Sequence, residues 1–546
     1  MLIYKEGLNL DKIRVKNLRT LLDTGKVDIK PLTLLVGKNS SGKSTFLRFF
    51  PLMKQTLETR TNEPILWYSS RYVDFGSFQE SLNFKNKGET IGFEFEFKIP
   101  KLYMKYAVGR YYSEPPFYRT RAKEFNEEKF SFNVDIECAE EFIKSINIGF
   151  EDHTIHLKFK SRGEITKLII NNIDYSDTSY FALYLRESTN ILPNIFYRKS
   201  EGNEEFNSIL YLNEYFSDRL MKNFKKLASG NTGNETIREL INELALGSSD
   251  DIYSSFSKLK PKAKTLAGKL KKISKEDALF EEIKNNLLGK YVNELLEMCN
   301  KYFEINFSNT NYIAPLRASA ERYYRIQGLS VDEIDPQGTN IPMMIHNMNE
   351  RDKESFISWT KKNFNFEIIT TLEGGHTSLK LKYDSDSEEI NLADTGFGYS
   401  QLLPIILVMW QVVKVKDSYQ GLKRMSLKML IKKFEDSMHT IVIEQPELHL
   451  HPALQAKLMD TFIQIITMAQ EMRINIKIIL ETHSETILNR IGYLIAKKKY
   501  NLHHDLINVL IFNKIDTYQT KLTSTSYDER GRLLSWPIGF FSPEDI

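Results

Sequence analysis

The segment 37–45 reads GKNSSGKST and has the residue types that bind a polyphosphate. Its pattern is G-x-x-x-x-G-K-[ST], in which Gly37 and Gly42 permit a tight loop whose N–H groups point inward. Lys43 would contact the terminal phosphates, and the Ser44 hydroxyl would coordinate magnesium. A glycine-rich turn without this function is the alternative. We expect the phosphate loop to be formed by Gly37, Asn39, Ser40, Ser41, Gly42, Lys43, Ser44 and Thr45.

A second segment with chemical potential is TIVIEQPELHLHP, at 440–452. Three apolar strand-forming residues lead into Glu444, which would hold magnesium directly or through water. Gln445 can hydrogen-bond a water molecule but cannot take its proton at neutral pH. Glu447 is the neighbouring carboxylate that could act as the general base. The alternative for Glu447 is a surface carboxylate near a helix N-terminus, where the helix dipole favours it.

Three histidines lie near these segments. His483 follows the apolar strand in IKIILETHSETIL, at 476–488, where it would contact a terminal phosphate or the attacking water. The alternative is a helix cap in which Ser484 begins the next helix, and both interpretations can hold together. His449 and His451 have the spacing of a metal pair, but no further ligands cluster with them, so loop histidines are favoured over a zinc site.

The segment DTGFGYSQLLPIILVMW, at 394–410, places glycines before a long apolar helix. Ser400 is expected at the N-cap position of that helix. A helix N-terminus with Gly398 and a free Ser400 hydroxyl would be a good reader of a γ-phosphate. A well-capped helix without a ligand is the alternative.

The elements that would position these residues fall into three parts. Short apolar strands between helices at both ends of the chain, such as LTLLV (32–36), predict a parallel sheet covered on both faces. Period-two alternation over 90–175 predicts antiparallel strands, with a hairpin turn at SRGE (161–164), and helical spacing dominates 205–305. A second alternating pair of strands is predicted on either side of Gly374-Gly375. We therefore expect an α/β fold, with a core in the parts 1–180 and 351–546 and a mainly helical insertion at 181–350.

The amino-acid composition limits the classes of protein to which this chain can belong. The 546 residues are 41% hydrophobic, which is enough for a large core. The net charge of +3 gives no global argument for nucleic-acid binding. Two separated cysteines, Cys138 and Cys299, fit a reducing compartment. Without an evident signal peptide or an apolar run of about 18 residues, we expect a soluble, cytoplasmic protein that does not enter a membrane.

One local stretch is strongly basic. The segment Lys258–Lys275 contains eight lysines and no acidic residue. It could contact the phosphate backbone of DNA or of another nucleic acid. A solvated, lysine-rich helical face is the alternative. Because the segment has no arginine, base-specific reading is not expected.

Taken in order, these segments resemble the ABC-type ATPase superfamily, in the branch of recombination, chromosome-maintenance and OLD-like proteins. Walker A corresponds to 37–45, the signature to GFGYSQ (396–401), Walker B to IVIEQPE (441–447) and the switch histidine to His483. The segments EQPELHLHP and LLSWPIGFF (533–541) are similar to a subgroup that includes the ATPases of Septu and retron anti-phage systems. The segment DFGSFQESL (74–82), which contains Gln79, occupies the region of the family's Q-loop. The middle of the chain is matched only loosely, at YIAPLRASAERYY (312–324).

This resemblance implies an ABC-type ATPase core that binds ATP and Mg²⁺. It implies head-to-tail packing in a homodimer or higher homo-oligomer, so that Gly398 and Ser400 act on the nucleotide of the other subunit. The catalytic candidates are then Glu447, Gln445 and His483, and the metal candidates are Ser44 and Glu444. Because many relatives carry the catalytic glutamate at the position of Gln445, hydrolysis is expected to be slow.

The resemblance also implies partners. The subgroup pairs its ATPase with a separate HNH-type nuclease and, in retrons, with a reverse transcriptase and its RNA and DNA. The segment after His483 lacks a convincing cluster of acidic ligands, so any cleavage would come from a partner. Two alternatives remain: a nucleotide-gated switch with little hydrolysis, and a DNA-repair or chromosome-maintenance ATPase that binds DNA itself through Lys258–Lys275.

Overall fold

The structure is a computed structural model that describes ten stretches of the chain. The described residues are 10–101, 129–176, 180–183, 190–200, 207–228, 232–326, 333–383, 388–415, 438–472 and 474–535. The ending similar to the Septu and retron subgroup is therefore described only as far as Ser535.

Strands and helices alternate along these stretches. In chain order the strands are β1 (Leu10–Leu18), β2 (Leu21–Asp23), β3 (Val27–Asp28), β4 (Leu32–Gly37), β5 (Ile91–Pro100), β6 (Lys129–Cys138), β7 (Ile143–Phe150), β8 (His153–Phe159), β9 (Glu164–Ile170), β10 (Ile173–Asp174), β11 (Tyr180–Leu183), β12 (Asn194–Ser200), β13 (Asn207–Tyr211), β14 (Thr310–Ile313), β15 (Tyr324–Arg325), β16 (Phe366–Glu373), β17 (His376–Tyr383), β18 (Ile390–Asn391), β19 (Met438–Glu444), β20 (Asn475–Glu481), β21 (Ile507–Asp516) and β22 (Gln519–Thr525). The α-helices are α1 (Lys43–Leu47), α2 (Phe49–Glu58), α3 (Phe78–Ser81), α4 (Leu212–Leu227), α5 (Asn234–Asn242), α6 (Ser249–Ser257), α7 (Lys264–Leu270), α8 (Ala278–Lys290), α9 (Val292–Phe303), α10 (Ile341–Asn347), α11 (Glu350–Phe364), α12 (Phe397–Val415), α13 (Pro452–Met472) and α14 (Glu485–Ala496).

The sheet that positions the predicted site is mainly parallel. Its order is β14-β19-β20-β4-β21-β22, and only β22 runs antiparallel to its neighbour. Strand β20 thus lies between β4, which leads into the phosphate loop, and β19, which leads into Walker B. Because the carboxyl ends of parallel strands meet at one edge of a sheet, all three predicted segments meet there.

The parallel sheet is buried on both faces, which explains its continuous apolar strands. Ile441 and Ile443 of β19 pack into the core that contains α12, α13 and α14. Val442, between them, points to the other face and into a core with α2 and the antiparallel sheet. The period of two along an extended strand thus joins the two cores across one layer.

The antiparallel strands predicted for 90–175 belong to the largest sheet. Within the described residues this sheet has the order β13-β12-β11-β9-β8-β7-β6-β5-β1-β2, with β3 and β10 at its margins. The predicted turn at 161–164 joins β8 to β9 as an antiparallel pair. The predicted pair around Gly374-Gly375 is the hairpin β16–β17 of a third, small sheet.

Helices α4 to α8 form a separate apolar cluster with Phe224, Phe256 and Phe280 at its centre. The lysine-rich segment runs through α7 on the outside of this cluster. Lys275 pairs with Asp250 at 2.6 Å, a partner that the sequence did not indicate. The other seven lysines of the segment are exposed, namely Lys258, Lys260, Lys262, Lys264, Lys269, Lys271 and Lys272.

The predicted α/β class is confirmed, with a mixed sheet, flanking helices and an antiparallel β part. The division at 180 and 350 stays a prediction, and the largest sheet continues past the first of these positions to β13. One described helix, Phe397–Lys414, is long and apolar enough to cross a membrane by length and composition. This is weak evidence, because 67% of the segment is buried within the protein and core helices pass the same test.

Candidate functional site

The phosphate loop follows β4 and ends where α1 begins. Gly42 has φ +88°, and a Cβ atom there would lie 2.6 Å from the Thr20 hydroxyl oxygen, so a side chain is excluded by both conformation and space. The buried Lys43 ammonium donates to the carbonyls of Gly37 at 3.1 Å and Lys38 at 2.9 Å. The ammonium group therefore lies in the curve of the loop.

The other predicted loop residues occupy different environments. Asn39 and Ser40 are exposed, and Ser40 has a left-handed backbone with φ +57°. Ser41 is buried, and its hydroxyl oxygen has no hydrogen-bond partner. Ser44 and Thr45 are half-buried in the first turn of α1. The loop thus offers exposed polar groups at Asn39 and Ser40, a buried hydroxyl at Ser41 and half-buried hydroxyls at Ser44 and Thr45.

Two glutamates end the neighbouring strands β19 and β20. Glu444 and Glu481 are register partners, so their side chains leave the sheet on the same face. Glu481 is buried, and its Oε1 lies 3.7 Å from the Lys43 ammonium. Burial raises the pKa of the Glu481 carboxyl, and the adjacent Ser44 hydroxyl opposes this shift. Glu481 lies two residues before His483, but no sequence motif marks it.

Both carboxylate oxygens of Glu444 accept hydrogen bonds, from Arg48 and Tyr312. No sequence motif indicated these two partners. Arg48 donates to both of its carboxylate oxygens, from Nε at 2.6 Å and from Nη2 at 2.9 Å. The Tyr312 hydroxyl donates to Oε1 at 2.6 Å. The bond to Glu444 is also the main reason why the pKa of Arg48 is raised. The magnesium role of Glu444 stays a prediction.

Glu447 is hydrogen-bonded to the segment that carries His483. Its Oε1 accepts the His483 N–H at 2.7 Å, and its Oε2 accepts the Thr482 hydroxyl at 2.9 Å. Burial raises the pKa of Glu447, while these hydrogen bonds oppose the shift. The carboxylate is therefore oriented by fixed donors and lies in surroundings that favour its acceptance of a proton.

Lys43 lies beside the carboxylates of this site, with Glu481 Oε1 at 3.7 Å. Burial lowers the pKa of Lys43, and the negative charges of Glu481 and Glu447 oppose this shift. The pKa of His483 is lowered, first by burial and then by the positive charge of Lys43. A neutral imidazole is thus favoured beside the phosphate loop.

Gln445 is fixed through its backbone. Its N–H donates to the Glu481 carbonyl at 2.9 Å, and its φ is +45°, in the left-handed region. A non-glycine residue there costs on the order of 1–2 kcal/mol. The sharp turn between β19 and Glu447 therefore depends on the bond that joins it to the end of β20.

Arg317, in the segment 312–324, is the least expected residue of the site. Its side chain is buried, and Nη2 donates to the Glu444 carbonyl at 2.9 Å, whereas Nε and Nη1 have no partner. Burial lowers the pKa of Arg317 to about 10, against the influence of Glu447 and Glu444. The Arg317 carbonyl accepts the Gln401 side-chain amide at 3.2 Å, which joins α12 to Walker B.

The signature segment contacts the loop after Walker B of its own chain. A Cβ atom on Gly398 would lie 2.9 Å from the His449 carbonyl oxygen, so glycine permits this close approach. The N-cap prediction for Ser400 is wrong, because α12 already begins at Phe397. The first turn includes Ser400, and its hydroxyl donates to the Phe397 carbonyl at 2.8 Å.

The remaining cap and histidine predictions can be placed. Ser484 does cap α14, because its hydroxyl accepts the Ile487 N–H at 3.2 Å. His451 Nδ1 accepts the Ala453 N–H at the start of α13, and the His449 ring lies beside Phe397 with centroids 6.0 Å apart. Gln79, which the resemblance placed in a Q-loop region, donates to Glu140 at the surface.

The oxygen ligands at the carboxyl edge of the parallel sheet fit a magnesium ion that also contacts a bound phosphate. They are oxygen atoms of Ser44, Glu444 and Glu481, and one oxygen of the buried Glu481 carboxylate has no partner. Magnesium is usually bound by one or two carboxylates together with substrate phosphates. No group of three or more His, Cys, Asp or Glu residues in the described ranges could hold a metal on its own.

A family model described as an AAA ATPase domain matches residues 9–488 of this sequence. The chain belongs to this ATPase family. The matched range contains the phosphate loop, the signature, Walker B and His483. A comparison with curated proteins finds no match.

Two solved structures are similar to this AAA ATPase-domain chain at low identity. One is an SMC head domain from Thermotoga maritima, with 8% identity and a TM-score of 0.31. The other is an SmcHead bound to the C-winged helix domain of ScpA, with 9% identity and a TM-score of 0.31. Each alignment covers 94% of this chain and 97% of the other. These likenesses are too distant to support a conclusion about function.

Proposed function

We propose that this chain binds ATP with magnesium and hydrolyses it slowly at the carboxyl edge of the parallel sheet. The proposal rests on the bond between Glu447 and the His483 N–H, which fixes a carboxylate on the segment after β20, the strand that pairs with the phosphate-loop strand β4. Gly37 to Thr45 would enclose the phosphates, and Lys43 would move its ammonium group from loop carbonyls to phosphate oxygens.

The chemistry follows from these positions. Lys43 stabilises negative charge that develops on the γ-phosphate. Glu447 accepts the proton of the attacking water, and the neutral His483 ring orients that water or a terminal oxygen. Bound magnesium supplies charge neutralisation at the phosphates. Gln445 can only orient a water molecule, so turnover depends on the more distant carboxylate.

The cellular role that we infer is that of a regulatory subunit in a bacterial anti-phage complex. ATP would set the packing of two or more copies and thereby restrain or release a separate HNH-type nuclease, with a retron reverse transcriptase and its nucleic acid as further partners. The support is the similarity of 444–452 and 533–541 to that subgroup. Gly398 and Ser400 would act on the nucleotide of the neighbouring copy. Leu316 and Phe397, exposed by 78% and 61%, offer apolar area near the signature for that contact.

A nucleotide-gated switch with little hydrolysis is the second candidate. It is favoured by Gln445 at the usual position of the base and by the Arg48–Glu444 ion pair, which occupies the Walker B carboxylate. A third candidate, a DNA-repair or chromosome-maintenance ATPase, is favoured by the exposed lysines of Lys258–Lys275. The nucleotide-gated switch and the DNA-repair or chromosome-maintenance ATPase would both bind ATP. They differ in the process that the bound nucleotide would control.

Binding of a fluorescent ATP analogue with magnesium tests the common premise. Wild-type protein should bind the analogue, and Lys43→Ala should lose most of that affinity. Lys497→Ala is the matched control, because Lys497 is an exposed lysine just after α14 and lies outside the phosphate loop. Equal binding by wild type and Lys43→Ala would overturn the proposal. Co-expression with an adjacent nuclease gene, followed by mass measurement of the purified complex, tests the partnership.

A further inference from the structure

Glu481 has no role in the mechanism above, yet the sheet order brings it close to the phosphate loop. Its strand β20 pairs directly with β4, in the register Glu481 to Leu35, whereas the strand of Glu444 lies one position further away. The loop begins two residues after Leu35, at Gly37. Of the two register-paired glutamates, Glu481 is therefore the nearer to Lys43 and Ser44.

The hydrogen-bond partners of the two carboxylates also favour Glu481 as the group available to a ligand. Both oxygens of Glu444 are occupied by Arg48, with Tyr312 as a third donor. Glu481 is only 3% exposed, and its Oε2 has no hydrogen-bond partner. A buried, unsatisfied carboxylate oxygen is costly unless a cation or donor satisfies it. Lys43, at 3.7 Å from Oε1, provides a charge but no short bond.

We propose that Glu481, together with the Ser44 hydroxyl, is the protein's principal contact to the magnesium ion of bound ATP. This inference rests on the proposed ATP-binding function. Glu444 would remain paired with Arg48 and would shape the site from the adjacent strand. Magnesium prefers oxygen ligands and completes its shell with phosphate and water oxygens, so one carboxylate and one hydroxyl suffice.

Nucleotide binding would also change the charge balance between Lys43 and Glu481. When a γ-phosphate draws the ammonium group away, Glu481 loses its nearest positive charge while a polyphosphate approaches it. Magnesium held by Glu481 would offset this repulsion. Metal and nucleotide are therefore expected to bind cooperatively, and the metal alone is expected to bind weakly because the protein offers too few ligands.

Manganese binding, followed by electron paramagnetic resonance in the presence of a non-hydrolysable ATP analogue, tests this assignment without reference to turnover. Glu481→Gln keeps the size of the side chain and removes its charge. It should weaken Mn²⁺ affinity by at least about 10- to 100-fold, the loss that outer-shell residues of metal sites already cause, while metal-free analogue binding is retained or strengthened. Glu485→Gln is the matched control, because Glu485 is an exposed glutamate at the start of α14, four residues after Glu481, and this variant should bind Mn²⁺ like wild type.

Unchanged Mn²⁺ affinity in Glu481→Gln would overturn the assignment and leave Glu481 as a counter-ion of Lys43. A loss confined to Glu444→Gln would overturn it as well, by giving the metal to Walker B. If Glu481→Gln does not fold, Glu481→Asp gives the same test, because the carboxylate is then one methylene short. A wild-type protein that binds no nucleotide refutes the proposed function instead, which keeps the two failures distinguishable.

Discussion

The Glu447 carboxylate accepts the backbone N–H of His483 at 2.7 Å. This bond joins the segment after β19 to the segment after β20. Because the Thr482 hydroxyl binds the second oxygen of the same carboxylate, its position follows any movement of that loop. A shift of His483 on phosphate binding would therefore reposition Glu447 with it.

Substitution of the two Walker B candidates separates hydrolysis from switching. Glu447→Gln should lower ATP turnover by about 100- to 10,000-fold, the usual contribution of a general base, with ATP binding retained. Gln445→Glu should change turnover little if Glu447 is the base. Steady-state phosphate release checks both. A large gain in Gln445→Glu with little loss in Glu447→Gln would instead support the nucleotide-gated switch.

The pH dependence of ATP turnover should follow the titration of the Glu447 carboxyl group. Its pKa is raised by burial, so the active, deprotonated form is present above that pKa and is lost as the pH falls through it. The acid limb should therefore lie above the ordinary glutamate value of about 4.3. The limb should disappear from the residual activity of Glu447→Gln. Persistence of the same limb in that variant would assign it to another group.

Arg317 is expected to matter more for activity than for stability. Arg317→Met removes a buried guanidinium whose Nε and Nη1 have no partner, together with its single bond to the Glu444 carbonyl. The relief of unsatisfied buried donors offsets much of the cost of the lost bond. We expect the urea midpoint to change little and turnover to fall by about 100-fold through lost positioning. Arg317→Lys, which keeps the charge, should recover part of this loss. A strongly lowered midpoint with unchanged turnover per folded molecule would show a structural role.

Two helical glycines allow a matched test of the contact between the signature and Walker B segments. Gly398→Ala places a Cβ atom 2.9 Å from the His449 carbonyl oxygen and should cost about 1–3 kcal/mol. Gly268→Ala, in α7, meets nothing within 4 Å and should stabilise by about 0.5–1 kcal/mol. Urea denaturation checks both signs. Equal effects of the two substitutions would contradict a tight approach at Gly398.

The lysine-rich segment gives a graded test of direct DNA binding. Neutralising the exposed Lys269, Lys271 and Lys272 should reduce the salt slope of DNA affinity by about three, roughly one per phosphate contact. Lys275→Gln is the control, because Asp250 already pairs with that lysine at 2.6 Å. Fluorescence anisotropy over a salt series measures the slope. A slope unchanged by the triple substitution would indicate a solvated face.

Local sequence patterns were sufficient for the α/β class, the strand-loop-helix of the phosphate loop and the hairpins β8–β9 and β16–β17. These features depend on apolar runs, alternation and glycine turns, which neighbouring residues specify. Local reasoning misplaced Ser400, because α12 begins three residues earlier. The signal for a capping residue does not distinguish the N-cap from the first helical turn.

The pairing of carboxylates with cations, in contrast, depends on the tertiary structure. Arg48 and Glu444 are separated by 396 positions, and no local pattern predicts their bond. The insertion of β20 between β4 and β19 brings Glu481 to Lys43, and the end of β14 delivers Arg317 to the Glu444 carbonyl. Strand order and register are set by the burial of whole sheet faces, which depends on the entire chain. The sequence motifs by themselves thus indicated phosphate-binding chemistry. Only the packing of the sheet determined which charged residues surround the phosphate loop.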